Sequence, residues 1–343
     1  TMKIGLISLG CPKNLVDSEV MMGLAQNAGH ELTNDAASAD VLIVNTCAFI
    51  DSAKQESIDA ILEMAELKKS GSAGRLVVTG CLAERYREQL HAEIPEIDAI
   101  LGTGEVPDIV RALGGAAGAG TSPLTFFRTS DSAHQHEPRT QNQNQNQEPR
   151  TQNQEPRTRT QEPRTRHPVP RRSPSYIYDA DTPRLLATPR HYAYVKIAEG
   201  CDYKCAFCII PTLRGAYRSR TSASIVTEAR ALAARGVKEL LLVSQDTTFY
   251  GIDRQERGAL ARLLRELNAI DGLEWIRLLY LYPTTIDDDT LAAMAECGKV
   301  CKYIDLPLQH ASNPVLQRMK RPGTRQKYDV LLNRIRARVG RIF

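Results

Sequence analysis

The chain has 343 residues, of which 42% are hydrophobic, 24% charged and 6% aromatic. That balance suits a globular chain long enough for two domains with their own cores, and no apolar run approaches the roughly 20 residues a membrane-spanning helix needs. The formal charge of +4 does not point to a nucleic-acid partner, because residues 137–172 hold eight arginines against four glutamates and so account for the whole excess.

The N-terminal run Met2-Lys3-Ile4-Gly5-Leu6-Ile7-Ser8-Leu9 meets Gly10-Cys11 at once and has no small-residue cleavage site. It reads as a first strand rather than a secretion signal, so a cytoplasmic location is expected. Further strands are predicted over residues 41–44, 76–79 and 97–101, with helices over 15–28, 52–67 and 83–90 between them. Ser52 is the expected N-cap of the second helix, with Gln55 completing a capping box. Alternating strands and helices of this kind predict an α/β domain with an open parallel sheet over residues 1–113.

From Gly114 the composition changes. A Gly/Ala-rich stretch leads into a tract where Glu-Pro-Arg-Thr recurs at Glu137, Glu148, Glu155 and Glu162, separated in places by Gln/Asn runs. A proline in every unit forbids a helix, and too little apolar surface is present to offset chain entropy, so residues 114–186 are expected to form a disordered linker. Beyond it, strands are predicted over 192–198, 239–244, 275–281 and 303–308, and helices over 224–235, 259–270, 286–297 and 326–339. Four such units in series predict a partial parallel (β/α) barrel over residues 187–343.

Eight cysteines in a chain expected to be cytoplasmic point to metal or catalysis rather than disulfides. Cys201, Cys205 and Cys208 lie in one loop after a predicted strand, in the run Cys201-Asp202-Tyr203-Lys204-Cys205-Ala206-Phe207-Cys208. Three thiolates so spaced can hold three corners of a cubane iron–sulfur cluster and leave the fourth iron open to a small molecule. Structural zinc would want a fourth ligand, and none follows at finger spacing. Cys11, Cys47 and Cys81 each follow a predicted strand of the first domain. Ligands of open parallel sheets gather outside the carboxyl ends of the strands, so these three read as a second shared metal site, the alternative being three separate buried thiols. Cys297 and Cys301 lack a third partner and read as packed free thiols.

The cysteine-loop spacing, with an aromatic residue before the last cysteine, resembles the signature of the radical S-adenosylmethionine superfamily. Two separated triads, one on an α/β domain and one in a barrel loop, are similar to its methylthiotransferase family. The matching stretches are Gly10-Cys11-Pro12-Lys13-Asn14-Leu15-Val16-Asp17-Ser18-Glu19, Asn45-Thr46-Cys47-Ala48-Phe49-Ile50, Gly80-Cys81-Leu82-Ala83-Glu84-Arg85-Tyr86 and Leu279-Tyr280-Leu281-Tyr282-Pro283. They resemble the ribosomal branch of that family.

The resemblance implies a Rossmann-like N-terminal domain followed by a partial radical S-adenosylmethionine barrel. It implies two 4Fe-4S clusters, one on Cys201, Cys205 and Cys208 that generates a radical from S-adenosylmethionine, and an auxiliary one on Cys11, Cys47 and Cys81 that carries the sulfur. The implied reaction adds a methylthio group to the β-carbon of an aspartate of ribosomal protein S-twelve, on the small subunit, with two S-adenosylmethionine molecules. An electron donor such as flavodoxin or ferredoxin is implied, and neither a membrane nor a direct nucleic-acid substrate. Family members continue with further barrel strands and a small β-barrel (TRAM) domain, so a truncated barrel domain is expected here. The alternatives are a transfer RNA methylthiotransferase of the same family and an inactive truncated cluster-binding scaffold.

Other candidates rest on position alone. Gln245 and Asp246 follow the second barrel strand and His310 follows the fourth, at the face where barrel active sites lie, so each is a candidate for the S-adenosylmethionine or substrate pocket. Ordinary cap or structural roles are the alternative. Arg214 and Arg218 follow the cysteine loop and read as a solvated pair or as guides for an acidic substrate. His30, His91 and His191 read as ordinary structural residues.

Overall fold

The computed structural model describes residues 1–114 and 173–340. The N-terminal half runs β1 (Lys3–Ser8), α1 (Pro12–Asn27), β2 (Glu31–Thr33), β3 (Val41–Thr46), α2 (Asp51–Lys69), β4 (Arg75–Gly80), α3 (Cys81–Glu93), β5 (Ala99–Leu101) and α4 (Ile109–Gly114). The strands form one parallel sheet in the order β2-β1-β3-β4-β5. All six residues of β3 are buried, as a strand with neighbours on both sides and helices on both faces must be. The order reverses between β1 and β3, so the crevice of this doubly wound sheet opens where those two strands end.

Two details depart from expectation. β2 is an additional edge strand, three residues long and partly exposed, too short and too polar to leave a periodic signal. Ser52 is not the cap of α2: the helix starts at Asp51, Ile50 occupies the cap position, and no side chain bonds the free amides there. Asp51 supplies negative charge to the first turn instead and pairs with Lys54 at 2.5 Å.

The second half runs β6 (Tyr192–Lys196), β7 (Ala198–Glu199), α5 (Ile210–Arg214), β8 (Arg218–Ser219), α6 (Ser222–Ala234), β9 (Glu239–Val243), α7 (Ala259–Asn268), β10 (Trp275–Leu278), α8 (Asp288–Glu296), α9 (Asn313–Arg318) and α10 (Arg325–Val339). Strands β10, β9 and β6 pair in parallel, while the short β7 and β8 pair antiparallel. Leu260, Leu263, Leu264 and Leu267 recur on one face of α7 and bury there, the spacing of a helix laid on a sheet.

The strand expected over 303–308 is absent. One bridge, Ile276 to Val300, begins a fourth pairing, after which the Asp305 carboxylate takes the amide of Tyr280 at 2.9 Å. Tyr280 has φ +60°, outside strand geometry, so a side-chain acceptor replaces the ladder. Stopping at Leu278 turns the segment 279–282 across the strand ends.

The Glu-Pro-Arg-Thr tract lies outside the described residues. The last part of the expected linker, residues 173–186, is instead packed against the first domain. Arg184 bonds Glu19 of α1 through Nε at 2.9 Å and through Nη2, and Glu228 of α6 through Nη1 at 2.6 Å. The amides of Leu185 and Ala187 also donate to Glu19, at 2.9 and 2.8 Å. Composition announces no order here, because the segment is held by charges contributed from two distant helices.

Gly23 of α1 makes room for this crossing: a β-carbon there would stand 2.5 Å from the backbone of Pro183 and Arg184. Replacing glycine by alanine within a helix ordinarily stabilises by up to about 1 kcal/mol. Gly23→Ala should instead destabilise the chain by roughly 1–3 kcal/mol through overpacking, measured by urea unfolding. A gain in stability would show that residues 183–184 do not pack on α1.

Candidate functional site

Cys11, Cys47 and Cys81 stand immediately beyond the carboxyl ends of β1, β3 and β4, which are adjacent in the sheet. Register places Ser8 beside Asn45 and Thr46 beside Gly80, so the chain delivers the three thiols to one edge. Two glycines permit the approach. Gly10, at φ +90°, lies so close to Cys47 that a β-carbon would meet its Cβ at 2.7 Å and its Sγ at 3.0 Å. Gly80, at φ +93°, is pressed against Asn45 and Thr46.

Hydrogen bonds then hold the edge. The Asn14 side chain donates to the carbonyls of Leu9 at 2.7 Å and Thr46 at 3.2 Å, tying α1 to both strand ends. Ser57 accepts from the Cys47 amide at 2.9 Å and donates to its carbonyl at 3.0 Å. Arg214 reaches across from the second half with Nη2 at 3.6 Å from Cys81 Sγ. Burial pushes the Cys81 thiol up to about 11 although Arg214 opposes it.

Cys201, Cys205 and Cys208 line a cavity of about 490 Å³ with Asp202, Tyr203, Lys204, Pro211, Thr212 and Ala216. Burial pushes the Cys201 thiol up to about 11. The loop is braced from its aromatic residue: Tyr203 stacks on Tyr282 at 4.1 Å between centroids and donates to Asp246 at 3.0 Å. The Ala206 amide donates to the Met319 carbonyl at 2.9 Å, and Arg321 Nη1 lies 3.9 Å from Cys205 Sγ.

All eight cysteines are free thiols. Among the described residues no three His, Cys, Asp or Glu side chains converge tightly enough for a single metal ion. A cubane asks for something else, since each thiolate binds its own iron and the three sulfurs stand apart around the core. Three thiols gathered at a sheet edge, and three around one cavity, suit that requirement better than mononuclear zinc.

The remaining candidates divide. Asp246 is buried and its carboxylate is filled: Thr248 and Phe249 donate to one oxygen and Tyr203 and Thr285 to the other, so it caps the turn Thr247–Phe249 and anchors the cysteine loop. Burial raises its pKa against those bonds. Gln245 donates to Glu199 and leaves Oε1 buried without a partner. His310 is exposed and accepts the Ser312 amide at 2.8 Å, a local turn contact away from the cavity lining. Cys297 packs in the barrel core and Cys301 is partly buried nearby. Arg218 bonds backbone carbonyls of residues 176, 214 and 216.

Arg214 is not solvated. It is buried in a quartet with Asp17, Lys196 and Glu199, which carries two positive and two negative charges. Lys196 Nζ lies 2.5 Å from both Asp17 and Glu199, and Arg214 Nη1 lies 2.5 Å from Asp17 and 3.2 Å from Glu199. Burial raises the Glu199 pKa, but Lys196 and Arg214, with the bond from Gln245, outweigh it and lower the value overall. Arg214 also donates to Asn14 Oδ1 at 3.0 Å, so the quartet reaches the first triad from the barrel. Lys13 completes the contact: its buried ammonium donates to the Ser244 carbonyl at 3.3 Å and sits 3.4 Å over the Tyr280 ring. Burial lowers its pKa, while Cys11 and Glu199 act the other way. Sequence reading passed over Asp17, Lys196 and Glu199; a lysine ending the apolar strand β6 was the one available signal.

Two family profiles match this chain: the uncharacterized protein family UPF0004 over residues 3–102 and the radical SAM superfamily over residues 195–341. Curated relatives named ribosomal protein uS12 methylthiotransferase RimO are similar along nearly all of it. That of Koribacter versatilis is 47% identical over 93% of this chain and 62% of its own length, and that of Desulforamulus reducens is 46% identical over 98% and 66%. The second half thus carries a radical SAM domain, and the chain as a whole is similar to these methylthiotransferases. It spans less than two thirds of the length of these relatives.

Among solved structures, the fold resembles the radical S-adenosylmethionine methyltransferase TsrM from Kitasatospora setae, with a TM-score of 0.60 at 14% identity, covering 99% of this chain and 66% of that one. The cobalamin-dependent radical enzyme OxsB matches with a TM-score of 0.59 at 12% identity, over 98% and 48%. These likenesses support the α/β architecture of a parallel-sheet domain joined to a radical SAM domain.

The quartet makes a quantitative expectation. Asp17→Asn and Lys196→Met, each leaving unmatched buried charge, should destabilise by about 3–5 kcal/mol. The double variant should lose less than the sum, with a coupling of roughly 0.5–3 kcal/mol in urea unfolding. Simple additivity would mean that the two halves are not joined through this pair.

Proposed function

We propose that this chain carries the two cluster-binding domains of a methylthiotransferase that modifies an aspartate of ribosomal protein S-twelve. Cys11, Cys47 and Cys81 would hold the auxiliary 4Fe-4S cluster, and Cys201, Cys205 and Cys208 the radical-forming one. The observation that carries this reading is the placement of two separate thiol triads on two domains joined by one buried ion network. A single triad would suit many radical enzymes; a second one, delivered by three strand ends toward the barrel, suits the insertion of sulfur.

When bound, the clusters and S-adenosylmethionine supply the carbon radical, the sulfur and the methyl group. The chain's own part is to hold and orient. Tyr203, clamped between Tyr282 and Asp246, holds the cysteine loop around its cavity. Asn14 and Arg214 hold the first triad to the barrel, and Lys13 touches the barrel at the Ser244 carbonyl. Gln245 presents a buried, unpartnered carbonyl oxygen beside Glu199 and is the best placed of the positional candidates to accept a bond from a ligand.

A protein substrate is favoured over transfer RNA because the net positive charge resides in residues 137–172, leaving no surplus for a phosphate backbone. The names of the relatives agree with that choice. A one-electron donor of the flavodoxin or ferredoxin class and a cytoplasmic setting complete the proposal; no described helix is long and apolar enough to cross a membrane.

Anaerobically prepared protein should contain about eight irons per chain, two cubanes' worth. Cys205→Ala should abolish cleavage of S-adenosylmethionine, whereas Cys47→Ala should spare cleavage and abolish methylthiolation of ribosomal protein S-twelve, followed by mass spectrometry. Equal loss of cleavage in both variants, or modification of RNA alone, would overturn the reading. Zinc in place of iron would favour an inactive scaffold.

A further inference from the structure

Among the described residues, five lysines and arginines are classed as buried: Lys13, Lys196, Arg214, Arg220 and Arg321. Three of them rest on carboxylates, Lys196 and Arg214 on Asp17 and Glu199, and Arg220 on Glu228 at 2.6 Å. Lys13 and Arg321 form no ion pair among the described residues. Lys13 has one carbonyl, that of Ser244, and the face of Tyr280. Arg321 has the Pro307 carbonyl at 2.8 Å and the face of Tyr282 at 3.8 Å, and its Nε is buried without a partner.

A cation–π contact offsets only part of the cost of burying an unpaired cation. Neither cation has a carboxylate of its own among the described residues: Glu199, which acts on Lys13, is already paired with Lys196 and Arg214. Each also adjoins one thiol triad. Lys13 is two residues from Cys11, and Arg321 Nη1 reaches Cys205 Sγ. The quartet beside the first triad is already neutral, so Lys13 is the surplus charge there. The two supporting tyrosines are neighbours but one, in a single turn of chain past β10.

We infer that Lys13 is the counter-charge of the auxiliary cluster and Arg321 that of the radical-forming cluster, each setting the reduction potential of its own site. The inference rests on the two-cluster reading above. A cubane with a doubly positive core and three thiolates has one net negative charge, and two after accepting an electron from a reductant. A fixed cation nearby stabilises the more negative, reduced form, and so raises the potential. Two separate cations allow the two clusters to be poised independently although they share one protein.

The test is an electron paramagnetic resonance titration of the loaded full chain with dithionite. Both cluster signals must first appear in the wild-type protein; their absence there refutes the two-cluster reading, not this one. Lys13→Met should lower the midpoint potential of the auxiliary cluster and leave the other at its wild-type value. Arg321→Met should do the reverse, and Lys13→Arg should restore most of the auxiliary potential. Unmoved potentials, or equal shifts at both clusters in each variant, would overturn the assignment. So would an unmoved auxiliary potential in Lys13→Met with a raised KM for the acidic substrate, which would make Lys13 a substrate contact.

A second measurement serves if a variant loads poorly. Without iron, Lys13→Met removes an uncompensated buried charge, so its thermal midpoint should equal or exceed that of the wild-type apoprotein. A lower midpoint would show that Lys13 already has its counter-charge within the protein.

Discussion

Asp17, Lys196, Glu199 and Arg214 form the contact on which the rest of the molecule depends. Each side chain is buried, and each is unfavourable there alone; only the complete set is neutral and hydrogen-bonded. Asp17 comes from α1 and the other three from the barrel, so the set can be completed only when both halves dock in one arrangement. An apolar contact of the same area would tolerate sliding. A quartet of fixed charges with defined partners does not, and it holds the edge carrying Cys11, Cys47 and Cys81 against the strand ends of the barrel.

The two triads are assembled by different routes. In the first, the sheet does the work: three parallel strands end side by side, and each thiol follows a backbone already fixed by its ladder. Glycine next to cysteine is what allows the close approach, since any β-carbon at Gly10 would occupy the space of Cys47. In the second, spacing within a single loop brings the thiols together, and the loop owes its form to contacts from elsewhere. Tyr203 is held by Tyr282 and Asp246, and the Ala206 amide by Met319. Asp246 thus holds the loop through Tyr203.

The segment Tyr280-Leu281-Tyr282 links the two. Because the strand stops at Leu278 and Tyr280 turns to positive φ, residues 280 and 282 no longer share one face as they would in a strand. One tyrosine ring meets Lys13 from the N-terminal domain and the other meets Arg321 and the cysteine loop.

Much was legible in the chain itself. Period-two and period-3.6 patterns placed most of the strands and long helices to within a few residues, because buried strands and amphipathic helices leave those patterns wherever they occur. The six cysteines stood out because three follow strand ends and three lie at intervals of four and three in one loop. What pattern could not reveal was the neighbour across space. Arg214 read as a solvated residue because its carboxylates lie 15 and 197 positions away in the chain. Residues 173–186 read as linker because their order comes from Glu19 and Glu228, and Asp305 read as strand because its bond to Tyr280 is a tertiary one. Local sequence determines which groups are present and which segments can be regular. Only the folded chain decides which charges are neutralised, since the low dielectric that makes them matter exists only once distant segments have closed around them.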